Sequence, residues 1–324
     1  MLPPTAADVL DAAERLRPQI VRTPTLRNPM LDQLTGGTIL LKPECLQRTG
    51  SFKLRGGTNA ILQLDPAQRQ AGVVAYSSGN HGQAVACAGA AAGIAVTVFM
   101  PKDAPTVKIE STRRWGAEVI LYDRATEDRS ALAQAHIART GATLIPPYDH
   151  PHVIAGQGTL ALELAQDATA AGLHIDALLV CTGGGGMVAG CALALAHASP
   201  ATEIWAVEPQ GSDDTARSLR SGHIESNPPG ASTFCDSLLS PAPGAITFPI
   251  NQARLKGGLV VTDDEVRAAM RFAFTHLKLV VEPGGAVALA ALLSQKLPTQ
   301  GRTIAAVLSG GNVDAPLFAQ ALAA

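Results

Sequence analysis

Lys53 stands in the stretch Gly50-Ser51-Phe52-Lys53-Leu54-Arg55-Gly56-Gly57, between a small-residue turn and a helical-looking run from Asn59 to Leu62. A second cation, Arg55, at the positive end of a helix dipole disfavours charge there and should ease loss of a proton from Lys53. A neutral amine is what Schiff-base chemistry requires. Taken alone, these residues favour an ordinary solvated lysine, because most lysines are surface charges.

Three other stretches carry chemistry. Thr182-Gly183-Gly184-Gly185-Gly186-Met187 lies between an apolar strand and a helix. Four glycines persist where the main chain must come close to something, and amide N–H groups at a helix start suit a phosphate. Gly184, Gly186 and Ala189 also satisfy the permissive G-x-G-x-x-A dinucleotide pattern, with Glu208 where a ribose-binding acid would stand. No Walker lysine follows, which argues against a nucleoside triphosphate. Ser77-Ser78-Gly79-Asn80-His81-Gly82 occupies a second strand-to-helix junction and makes a nest for a carboxylate. His81 is expected to titrate near neutrality or to be a packed histidine beside an N-cap. Ser309, in Leu308-Ser309-Gly310-Gly311-Asn312, ends the last strand, where open α/β sheets bind ligands.

The elements that must hold these stretches alternate regularly. Thr5 is expected to cap a helix to about Leu16, and Thr38–Lys42 reads as a strand. From Gly72 three strand–helix units follow: strands at 73–77, 95–100 and 118–122, helices to about Ala92, over 106–115 and over 131–140. That period predicts a parallel sheet with helices outside, an α/β arrangement. Residues 72–148 are expected to form a small substrate-binding domain inserted into a large one built from 1–71 and 149–324. In the large one, helices are expected at 155–166 and after Met187, with strands at 177–181 and 204–207. Residues 210–258, rich in Pro, Gly and Ser, are expected to be mostly loop. Helices at 263–277 and 286–293 and a strand at 304–308 close the chain.

Hydrophobic residues make up 47% of the 324 and charged ones 16%, so a well-buried globular protein is expected, not disorder. The net charge of −2 supplies no basic field, so neither a nucleic-acid nor a membrane partner is expected. No apolar run reaches spanning length and no signal peptide is expected at Met1. The five cysteines are scattered, without a CxxC pair, as in a cytoplasmic protein with reduced thiols.

Together, the Lys53 stretch, the Ser-Ser-Gly-Asn-His-Gly loop, the tetraglycine loop and the terminal Ser-Gly-Gly-Asn resemble fold-type II pyridoxal-phosphate enzymes, in the threonine/serine dehydratase and serine racemase branch. The likeness extends to Val153–Thr159 and Val281-Glu282-Pro283. It implies a tryptophan synthase β-like fold with two parallel-sheet, three-layer αβα domains, and it reverses the reading of Lys53. Lys53 would hold pyridoxal 5'-phosphate in a Schiff base and act as the base at Cα. Phe52 would pack beside the ring, Gly183, Gly184, Gly185, Gly186 and Met187 would bind the phosphate, and Asn80 would bond the ring hydroxyl. Glu282 joins the cofactor set, and Ser309 would face the pyridine nitrogen, where a neutral partner suits elimination. Ser77, Ser78, Asn80 and His81 would grip the substrate, and Ser78 matches the second-face acid of racemases. Glu208, Asp214 and the Ser212 carbonyl would hold Mg²⁺, or Ca²⁺ or Mn²⁺.

The resemblance implies α,β-elimination of a 3-hydroxy amino acid to a 2-oxo acid and ammonia, by a homodimer acting on small molecules. Threonine, serine, threo-3-hydroxyaspartate, phenylserine and a hydroxyectoine-derived amino acid all fit, as does racemisation of serine. Cys235-Asp236-Ser237 stands where the dehydratases have Ala-Asp-Gly, which sets threonine specificity in question. Arg129 is able to reach a β-carboxylate or to lie on a helix surface. Outside this class, a dinucleotide-binding oxidoreductase and a non-catalytic amino-acid-binding protein are the competing readings.

Overall fold

Among the described residues, nine strands sort into two sheets, and every pairing within them is parallel. The computed structural model describes residues 2–323, apart from residues 78, 105, 124 and 229. The larger sheet runs β1 (Thr38–Pro43), β9 (Thr303–Leu308), β6 (Ala177–Cys181), β7 (Glu203–Pro209), β8 (Gly257–Val261). The smaller runs β4 (Glu118–Tyr122), β3 (Val96–Pro101), β2 (Val73–Tyr76), β5 (Thr143–Leu144). Parallel strands need crossovers, and covering helices bury both faces. Accordingly β6 and β3 are buried at every residue.

The helices before and within the smaller sheet are α1 (Ala6–Leu16), α2 (Pro29–Thr35), α3 (Lys53–Leu62), α4 (Pro66–Ala71), α5 (Asn80–Ala92), α6 (Thr106–Arg114) and α7 (Arg129–Thr140). Those after it are α8 (Pro151–Ala170), α9 (Gly186–Ala198), α10 (Asp214–Ser221), α11 (Thr247–Arg254), α12 (Asp263–Phe272), α13 (Pro283–Leu293) and α14 (Ala315–Ala323). Thr5 caps α1 in a full capping box with Asp8. No helix among the described residues is long and apolar enough to cross a membrane.

Some expectations are corrected. The segment 210–258 holds α10, α11 and the edge strand β8, not mainly loop. Two eight-residue helices and a half-buried strand that opens on Gly257-Gly258 leave little periodicity to read. A further helix, α14, follows β9, and α8 begins at Pro151 with proline in its first turn. The apolar cluster against the smaller sheet also takes in Ala60, Ile61 and Val153, from outside 72–148.

Behind the start of α3 lies a buried ionic cluster. Arg55 donates to Glu44 at 2.8 Å through Nε and again through Nη2, and its Nη1 donates to Glu163 at 2.8 Å. Lys42 donates to Glu163 at 2.7 Å and to the Thr23 carbonyl at 2.7 Å, while Thr23 Oγ1 donates to Glu44 at 2.6 Å. This ties α3 to the end of β1 and to α8.

Candidate active site

Lys53 is the first residue of α3, and its helix start is stitched to the end of β9. Phe52 N donates to the Ser309 carbonyl at 3.0 Å, Gly311 N donates to the Gly50 carbonyl at 2.9 Å, and Ser51 bridges Gly310. Asn312 Nδ2 donates to Thr49 O at 2.8 Å and to Asn80 Oδ1 at 2.7 Å. Asn80 in turn donates to Glu282 Oε1 at 2.6 Å. A single cavity between the two sheets is therefore lined by Phe52, Lys53, Ser77, Asn80, His81, Gly183 to Met187, Glu282 and Ser309. Ser78 lies outside the described residues.

The Lys53 amine donates to the Pro147 carbonyl at 2.6 Å and has no carboxylate in contact among the described residues. Burial draws its pKa down to about 8, against the opposing charge of Glu282. Arg55, expected to be the cause, points the other way and is neutralised by Glu44 and Glu163. Desolvation lowers the basicity instead. Burial, then the charge of Asp236, pushes Glu282 up to about 7, and its Oε2 has no hydrogen-bond partner.

His81 is a correction. Its Nε2 meets the Ile145 carbonyl at 2.7 Å, so that nitrogen carries the proton and Nδ1 is left without one to donate. Burial, with Lys53 nearby, holds its pKa at about 3, so it does not titrate near neutrality. Towards a carboxylate it offers the backbone N–H of the first turn of α5, not a cationic ring.

The tetraglycine loop opens α9. Gly185 has φ +87°, a conformation that favours glycine, and the amides of the first turn of α9 face the cavity. The loop carbonyls are held from behind: Thr247 Oγ1 donates to Gly184 O at 2.8 Å and Asn251 Nδ2 to Gly185 O at 3.3 Å. A glycine cup at a helix start, a half-buried amine and an orphaned carboxyl oxygen fit pyridoxal 5'-phosphate.

Beside the cup, Glu208 and Asp214 are both fully buried. The Glu208 carboxylate accepts from Thr215 N at 3.0 Å and Ala216 N at 2.7 Å, which removes it as a ribose ligand. Asp214 Oδ1 accepts from Asn227, and Asp214 Oδ2 has no partner. Burial, then Asp214, raises Glu208 to about 8, and burial raises Asp214 to about 6. Of these two buried carboxyls only Asp214 keeps an oxygen with no partner among the described residues, beside buried Ser212.

Sequence reasoning passed over Tyr148 and Lys108, which also line the cavity. Lys108, on α6, pairs with Asp236 at 2.8 Å and joins the two sheets' halves across the mouth. Tyr148 follows Pro146-Pro147 just beyond β5, a strand-end position that could have flagged it. Arg129 lines the same cavity, stacked 5.3 Å over the Tyr76 ring, and makes no ion pair among the described residues.

The fold and this constellation define a pyridoxal-phosphate enzyme of fold type II. The chain belongs to the pyridoxal-phosphate dependent enzyme family, whose model matches residues 16–310. It is 44% identical to the L-threo-3-hydroxyaspartate ammonia-lyase of Pseudomonas sp, over 97% of each chain. It is 40% identical to the serine racemase of Schizosaccharomyces pombe, over 98% of this chain and 97% of that one. The structure of maize serine racemase superposes with a TM-score of 0.93 at 35% identity, covering 99% of this chain and 98% of that one. The dinucleotide reading falls with this result.

Proposed function

We propose that this protein is an ammonia-lyase that converts a 3-hydroxy amino acid into a 2-oxo acid and ammonia. The observation that carries the reading is Lys53: a half-buried amine with no acidic partner among the described residues, sharing one cavity with the glycine cup. Pyridoxal 5'-phosphate, when bound, supplies a carbonyl for amine capture and an electron sink. The amides of Gly183 to Met187 would hold its phosphate, Phe52 would pack beside its ring, the remaining Asn80 N–H would serve its hydroxyl, and Ser309 and Glu282 would complete its site. Ser77 and the first amides of α5 orient the substrate carboxylate, with Ser78 expected beside them. Lys53 would take the proton at Cα, and burial, by drawing its basicity down to about 8, raises the share of neutral amine available for that task. Residues 72–148 act as the substrate-binding unit. Purified protein supplied with the cofactor should form 2-oxo acid from at least one of serine, threonine, threo-3-hydroxyaspartate and phenylserine. No product from any of them sinks the proposal.

Within this class 3-hydroxyaspartate is favoured. Lys108 is already paired with Asp236, whereas Arg129 is a cation facing the cavity with only an aromatic ring against it. A second substrate carboxylate would supply its missing anion. Racemisation of serine is the competing reaction, read out by chiral analysis of the same mixtures.

Glu208, Asp214 and the Ser212 carbonyl are proposed to hold Mg²⁺, with Ca²⁺ or Mn²⁺ as substitutes. Protein stripped with EDTA should melt several degrees lower and recover with added Mg²⁺, but not in a Glu208→Gln variant. A cytoplasmic homodimer completes the reading, since Phe274 and Val280 leave apolar surface exposed. Sedimentation as a monomer would refute the dimer.

A further inference from the structure

The segment Pro147-Tyr148-Asp149 touches three parts of the site at once. Pro147 O accepts from the Lys53 amine at 2.6 Å. The Tyr148 ring lies flat against the glycine loop: a methyl group on Gly184 would stand 2.4 Å from its Cδ2 and Cε2, and one on Gly186 would stand 2.8 Å from the Tyr148 carbonyl. The Asp149 carboxylate accepts from Ala245 N at 3.0 Å, Ile246 N at 2.8 Å and Thr247 N at 3.1 Å, capping α11 from another part of the chain. Thr247 closes the circuit, because its hydroxyl donates to Gly184 O. Each end of the strap is therefore anchored, and the ring between them is held with the glycine loop on one side and the cavity on another.

We propose that Tyr148 is a positioning residue that presses the glycine loop into its phosphate-binding shape, with Asp149 anchoring it and Pro147 setting the Lys53 amine at a fixed reach from the cup. This rests on the reading of Gly183 to Met187 as the phosphate site. The ring, not the hydroxyl, is the working part. Ring removal should therefore weaken the hold on a phosphate and spare the reaction of Lys53 with an aldehyde lacking one.

The test compares apoprotein titrated with pyridoxal 5'-phosphate and with pyridoxal, followed by the visible absorbance of the lysine-bound ligand. Tyr148→Ala should raise the dissociation constant for pyridoxal 5'-phosphate by about tenfold, the scale of lost aromatic packing. Its affinity for pyridoxal should stay within about twofold of wild type, and Tyr148→Phe should bind both as wild type does. Asp149→Ala, which frees the strap but keeps the ring, should show the same selective loss at smaller amplitude. Gly184→Ala should bind pyridoxal 5'-phosphate poorly, and Gly184→Ala with Tyr148→Ala should bind it better than Gly184→Ala alone. Equal loss for both ligands, a Tyr148→Phe as weak as Tyr148→Ala, or no rescue in the double variant overturns the proposal. Wild-type protein that takes up pyridoxal but gains nothing from the phosphate overturns the phosphate-site reading beneath it.

Discussion

On the side of α3 that faces β1 and α8, two cations meet two carboxylates with every charge in contact; on the cavity side, Lys53 and Glu282 stand apart, and only Lys108 and Asp236 are paired. Lys42 and Lys53 make the contrast sharp. Lys42 is fully buried and Lys53 half-buried, and burial lowers the basicity of both. Lys42 has Glu163 at 2.7 Å to hold its proton, while Lys53 meets a carbonyl and the Phe52 ring and no carboxylate among the described residues. Burial would raise Glu44, yet Arg55 and the Thr23 hydroxyl hold it below the usual carboxylate range. Glu282, across the cavity, lacks such a partner and is pushed up to about 7. Desolvation thus accompanies a fixed ion pair on one face and reactive groups on the other, and the presence of a partner decides which.

The largest effect that would break this contrast is at Lys53. Lys53→Ala should lower turnover by about 10⁴-fold or more and abolish the visible absorbance of bound cofactor. Because a neutral amine attacks the aldehyde, the rate at which wild-type apoprotein takes up cofactor should rise with pH and level off above about 8. A rate that is flat between pH 6 and 9 would show that Lys53 is not held as described.

On the paired face the expected loss is in stability. Arg55→Met leaves Glu44 and Glu163 buried without their guanidinium, which should cost about 3–5 kcal/mol in denaturant unfolding. A change under about 1 kcal/mol would mean that the cluster is not a desolvated pair network.

The smallest effect concerns selectivity. Arg129→Gln should lower kcat/KM for 3-hydroxyaspartate by about ten- to thirtyfold, the worth of one charge-assisted hydrogen bond, and leave serine within about threefold. An equal fall for both substrates would return Arg129 to a packing role over Tyr76.

Much of this site was legible in order along the chain. Glycine runs and small polar loops at strand ends declare themselves because the backbone there must approach a ligand, and local alternation marks the strands that carry them. The 183–187 loop, the Ser77–Gly82 loop and the strand-end position of Ser309 were visible for that reason, whereas Lys53 taken alone read as a solvated lysine and gained a role, as Asn80 did, only through the family resemblance. Region 210–258 was not, since α10, α11 and β8 are short and take their form from packing against α9 and β7.

The sequence by itself determined the strand–helix alternation, the glycine cup and the residue types able to do the chemistry, because these depend on backbone freedom and short-range period. Only the tertiary structure decided which charges would be answered. Arg55 lies two residues from Lys53 yet turns to Glu163, more than a hundred positions on, and His81 turns to Ile145. Tyr148 acquires its place only when the smaller sheet's last turn is laid against the glycine loop. Desolvation and pairing arise from contacts between distant segments, so the basicity of Lys53 belongs to the fold and not to its neighbours in the chain.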